Sequence, residues 1–105
     1  MLKTLAELKR EIKLRVNNIH FDMHFYDRMK KRIYLNEELV KNSLNNFDNY
    51  LGFQSHHVKE KPRYRIGMRL SNKYVFVIVL EIEKEHLNII TAWKTNRKWQ
   101  KTLQK

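Results

Sequence analysis

Three residues in FDMHFYDRMKKR stand at four-residue steps: His24, Arg28 and Arg32. On an α-helix, residues four apart lie one above the other. The spacing therefore stacks an imidazole that titrates near neutral pH beside two permanent cations, with Lys31 next to them. Such a strip suits proton transfer at a bound oxyanion whose oxygens are clamped by guanidiniums. It equally describes a solvated basic helix edge carrying an incidental histidine.

Two further groups have comparable chemistry. Thr91 and Trp93, followed by Lys94, close an apolar run, and strand residues two apart share a side. A hydroxyl beside an indole can bond a phosphate or ribose and stack a base; the same pair can fill a core edge. Arg63, Arg65 and Arg69 alternate with Tyr64, Ile66, Met68 and Leu70. That pattern is a half-buried strand with a basic outer face, either a cationic track for a polyanion or a charged edge protected against self-pairing. Weaker signals are His56-His57, which face opposite ways on a strand, and Glu81 with Glu83 near a strand end. Neither makes a recognisable metal-ligand set, and no glycine-rich phosphate loop is present.

These residues need elements to hold them. Thr4 and Glu7 have capping-box spacing, and Leu5, Leu8, Ile12, Val16 and Ile19 follow at helical steps, predicting a helix over residues 5–17. Asp22 can cap a second helix running to about Arg32, with Phe21, Phe25, Met29 and Ile33 as its apolar residues. Asn36 can cap a third, pointing Leu39, Val40, Leu44 and Phe47 inward. The hydrophobic period then changes from 3.6 to 2. Strands are expected over residues 50–57 and 63–70, over the apolar run 74–82 at the sheet centre, and over residues 87–93. Thr95 can cap a short C-terminal helix carrying Trp99 and Leu103. The expected class is α+β: N-terminal helices packed on a three- to four-stranded antiparallel sheet.

Composition bounds the possibilities. The 105 residues fit a single domain: an amphipathic helix over 1–19, a core over 20–95 and a basic tail over 96–105. Lys and Arg outnumber Asp and Glu by 22 to 11, for a formal charge of +11. Residues 1–35 hold nine against four, net +5, and residues 93–105 five against none, net +5. The field favours a polyanionic partner such as nucleic acid or an acidic protein. With no cysteine, disulfides, thiolate metal sites and Cys nucleophiles are excluded. No apolar run approaches the roughly 20 residues of a membrane span, and the early charges give no secretory pattern, so a cytoplasmic protein is expected.

Taken together, the H-x3-R-x3-R helix, the further helix, the antiparallel meander and the closing Thr-Ala-aromatic strand resemble the small ribonucleases of the barnase, colicin D and RelE-like fold. The likeness is strongest to compact toxin-like members opening with an HxxxRxxxR helix, and covers about residues 20–95. It implies an endoribonuclease needing no metal or other cofactor, which drives the ribose 2′-OH onto the adjacent phosphate and leaves a 2′,3′-cyclic phosphate. Carried over, His24 is the acid or base and Arg28 stabilises the phosphorane. Thr91 bonds a non-bridging oxygen or orients His24, and Trp93 positions the nucleotide. Arg32, Arg65 and Lys94 bind flanking phosphates, and an acidic antitoxin covers the basic face; Lys31, Arg63 and Arg69, read from the basic strip and strand, complete the expected RNA-binding set. Ile33-Tyr34 follows Arg32 where related sequences often turn with glycine. Two alternatives stand beside this reading: a non-catalytic nucleic-acid-binding domain of the same fold, and a basic module recognising an acidic protein.

Overall fold

The computed structural model describes residues 2–98. Three helices, α1 (Leu5–Lys13), α2 (Met23–Met29) and α3 (Glu37–Asn45), precede four long strands: β2 (Tyr50–Val58), β3 (Lys61–Arg69), β4 (Tyr74–Ile82) and β5 (Leu87–Asn96). A short strand, β1 (Ile19–Phe21), lies between α1 and α2. The sheet order is β1-β5-β4-β3-β2. The α+β class stands, but the sheet is five-stranded and mixed. β1 pairs in parallel with β5, Ile19 opposite Leu87 and Phe21 opposite Ile89, while the other pairs are antiparallel.

Each helix starts where its capping residue stands. The Glu7 amide donates to Thr4 Oγ1 at 3.2 Å and the Thr4 amide returns to Glu7 Oε1 at 3.0 Å. Amides of Lys3 and Thr4 hold the Glu7 carboxyl below the usual carboxylate range. Asp22 accepts from the His24 amide at 2.9 Å, and Asn36 from the Leu39 amide at 2.8 Å. α1 ends at Lys13, short of the expected 17. Arg15 leaves the helical path to bond Glu83 O at 2.6 Å, Asn17-Asn18 favour a turn, and Ile19 joins the sheet. α2 ends at Met29, short of the expected Arg32, which lies in the turn beyond it with its amide donating to Arg28 O at 3.1 Å.

One face of the sheet carries the core. Leu8, Ile12, Phe25, Val40 and Leu44 from the helices pack with Ile66, Met68, Phe76, Ile78, Leu80, Leu87 and Ile89. β4 is the central strand, and Val75, Val77 and Val79 are buried on its opposite face too. That explains its nearly continuous apolar sequence.

A bulge breaks the alternation of β5. Leu80 stands opposite Ile89 but Val79 opposite Thr91, leaving Ile90 unpaired. Strict alternation from Leu87 and Ile89 would send Thr91 and Trp93 into the helix-facing core. The extra residue moves both to the opposite face. Past the bulge β5 continues through Asn96, with Thr95 opposite Val75, so Thr95 caps no helix. Trp99 and Leu103, on which the expected C-terminal helix rested, lie outside the described residues.

Candidate functional site

Directly paired residues share a face of an antiparallel sheet. On the face away from the helices, one row runs Gln54, Arg65, Val79, Thr91 across four strands. Arg65 is exposed and Thr91 half-buried. Their Cα atoms are two strand spacings apart, about 10 Å. Thr91 and Arg65 thus stand on one face of the sheet. Trp93 stands on the same face, one row on, opposite Val77 and in line with Gly67.

α2 is tied at both ends to the outer edge of β5. The Asp22 amide donates to Ile89 O at 2.9 Å. Beyond the far end, Arg32 Nη1 donates to Ala92 O at 2.9 Å and to Thr91 Oγ1 at 3.2 Å. Next along this edge, the Lys94 amide donates to Tyr34 Oη at 3.0 Å. β1 covers only Leu87–Ile89 of β5, so Arg32 and Tyr34 satisfy backbone groups that would otherwise form a bare strand edge. Tyr34 turns to the strand while Ile33 is fully exposed.

The His24–Arg28–Arg32 strip therefore runs along the outer edge of β5, and its last member reaches Thr91. His24 is exposed and Arg28 half-buried. Among the described residues neither side chain bonds a protein acceptor. Lys31 is exposed beside the strip. Lys94 is on the wrong face for this group: it pairs with Phe76 on the helix side, and its ammonium lies 4.9 Å from the Tyr34 ring centroid and 4.8 Å from that of Tyr74. The three strand arginines share a face but not a state. Arg65 is exposed, Arg69 donates to Asn72 Oδ1 at 2.9 Å, and Arg63 is engaged by a carboxylate.

That carboxylate belongs to a second row that sequence inspection undervalued. His56 pairs with Arg63 across β2 and β3, and Glu81, Asn88 and His20 pair across β4, β5 and β1; the Arg63–Glu81 ion pair joins the two sets into one row. Glu81 Oε2 accepts from Arg63 Nε at 2.9 Å and Oε1 from Asn88 Nδ2 at 3.4 Å; its side chain is only 10% exposed. Burial, then the charges of Arg65, Arg63 and His57, push the His56 imidazole below its ordinary pKa. His20 stacks on His86 with centroids 4.1 Å apart. One signal was legible beforehand: a single carboxylate interrupting the apolar run of β4. Its partners needed the register.

The arrangement offers an exposed cation, a hydroxyl and a second guanidinium around Val79. A carboxylate lies two residues along β4 from Val79, about 7 Å away. Thr91 already accepts from Arg32, which leaves its hydroxyl proton for an incoming acceptor. Among the described residues, no three His, Asp or Glu side chains are placed to hold a metal ion, and no helix is long and apolar enough to cross a membrane. Comparison of the chain with known family models, curated proteins and solved structures finds no match.

Proposed function

We propose that this protein is a metal-independent endoribonuclease of the toxin type. The observation that carries the reading is the Arg32–Thr91 hydrogen bond, 3.2 Å long. It ties the basic strip of α2 to the sheet face on which Arg65 and Glu81 stand. A phosphodiester over Thr91 meets Arg32 and Arg28 from one side and Arg65 from the other, with the Thr91 hydroxyl donating to a non-bridging oxygen. The ribose 2′-oxygen attacks phosphorus and gives up its proton; the bond from phosphorus to the 5′-oxygen breaks, and that oxygen takes a proton. His24 from α2 and Glu81 from β4 are the proton carriers on the two sides. Trp93 stacks a base, while Lys31 and Arg69 meet flanking phosphates. The +11 charge draws RNA to this surface and suits an acidic antitoxin as its cellular cover.

The test is incubation of the purified chain with RNA in excess EDTA. Cleavage should persist and leave 2′,3′-cyclic phosphate ends, and His24→Ala and Glu81→Gln should each suppress it. Intact RNA, or products ending in 3′-hydroxyls, overturns the proposal. The tight engagement of Glu81 by Arg63 and Asn88 favours a second reading, binding without cleavage. That reading expects RNA affinity to fall steeply with salt while the RNA stays whole.

A further inference from the structure

A cavity of about 200 Å³ opens where the end of α3 meets the end of β3. Asn42, Ser43, Asn46 and Asn49 line it, together with Met68 and Arg69. Most asparagine side chains elsewhere among the described residues are committed, the exposed Asn17 at the turn after α1 excepted. Asn18 bonds Glu85 O, Asn36 caps α3, Asn45 bonds Lys41 O, Asn72 accepts from Arg69, and Asn88 bonds Glu81. Those of Asn42, Asn46 and Asn49 make no such bond among the described residues. Three uncommitted amides therefore converge on one cavity, beside the buried thioether of Met68.

Each amide presents a donor and an acceptor side by side. That pair matches the edge of a nucleobase, and asparagine matches adenine best, through its amino group and ring nitrogen. Met68 offers an apolar contact for a flat ring. Arg69, at the mouth, is suited to the phosphate attached to that base. Arg65 and Arg69 stand about 13 Å apart on the face away from the helices, while the cavity opens on the helix side at the end of β3, so a single strand passing Arg69 enters it by turning over the end of the sheet.

We propose that this cavity is a nucleobase subsite that takes an adenine of a single-stranded RNA whose backbone follows β3. The inference rests on the reading of the sheet face as an RNA surface, but its test does not depend on cleavage. The side-chain amide signals of the ¹⁵N-labelled full chain are followed by NMR during titration with AMP, with UMP, and with a short 2′-O-methyl oligoadenylate that cannot be cleaved. AMP should shift the Asn42, Asn46 and Asn49 amide signals and UMP should not. Asn46→Ala and Asn49→Ala should each raise the Kd for AMP at least about fivefold while leaving the backbone spectrum folded. The oligoadenylate should bind at least about tenfold more tightly than AMP, since it also engages Arg65. Unmoved amide signals, or equal shifts with AMP and UMP, overturn the adenine site. Oligoadenylate binding no tighter than AMP overturns the RNA assignment in favour of a free nucleotide. RNA cleavage with a flat AMP titration removes the subsite and leaves the nuclease standing; amide shifts without cleavage do the reverse.

Discussion

Replacing Arg32 by alanine separates its structural work from the role proposed for it at the phosphate. Arg32 Nη1 serves two acceptors, Ala92 O at 2.9 Å and Thr91 Oγ1 at 3.2 Å. Hydrogen bonds from a charged donor contribute about 1.5–3 kcal/mol each, and here one nitrogen is shared between two acceptors on a half-buried side chain. The low end applies, because water can reach part of the vacated edge. Arg32→Ala should therefore lower stability by about 1.5–2 kcal/mol, or about 8 °C in midpoint for a domain this size. Thr91→Val removes only the longer bond and should cost about 0.5 kcal/mol. In a double-mutant cycle the two substitutions should couple, since they share a bond. Urea unfolding followed by circular dichroism measures all four proteins, with RNA cleavage assayed in parallel. An Arg32→Ala protein that unfolds at the wild-type midpoint but has lost cleavage would refute the edge-sealing role and leave Arg32 acting on substrate alone.

Other substitutions give sharp expectations. Glu81→Gln keeps the shape and should cut cleavage by about 10²-fold or more. Glu81→Ala should in addition cost about 2 kcal/mol in urea unfolding, because it strands Arg63, whose 28% exposed side chain softens the loss. At the β2–β3 hairpin, Lys59 and Glu60 both hold positive φ, 52° and 68°. This is the type I′ conformation that Asn-Gly adopts readily, so Lys59→Asn with Glu60→Gly should stabilise by about 1 kcal/mol and leave cleavage unchanged. For His56, whose folded pKa lies below its unfolded value, the unfolded chain binds the proton more readily, so stability is complete above pH ~6.5 and is lost as pH falls through the folded pKa. His56→Gln should therefore gain on wild type in unfolding experiments as pH is lowered from 7.5 to 5. Equal pH dependence in the two proteins would sink that expectation.

What the sequence made legible follows the range of each signal. Caps act within a few residues, and Thr4, Asp22 and Asn36 all begin helices as their side chains predict. Alternation is equally local, and it placed Arg63, Arg65 and Arg69 on one face. Ile19–Phe21 was missed because its hydrophobic residues continue a helical pattern, and only a partner distant in sequence, β5, makes it a strand. Lys94 was grouped with Thr91 and Trp93 by adjacency, although adjacent strand residues face opposite ways. The His56–Glu81 row depends on the register of all five strands, which no local pattern records. The Arg32–Thr91 contact was not legible either: the sequence offered Arg32 as a phosphate contact, and only the packing of the chain after α2 against β5 brings it to Thr91.

The unpaired Ile90 gives β5 an uneven tolerance to insertions and deletions. The strand is held as two segments with opposite phase, one anchored by Leu87 and Ile89 in the core, the other by Ala92. Losing one residue between Ala92 and Asn96 would reverse the faces of everything after it. Losing one at Ile90 removes a residue that has no partner, so the two phases can still meet. The family history of such a strand, read across variants of different length, should therefore show length changes gathered at this single position, with Thr91 and Trp93 kept on the surface they share with Arg65.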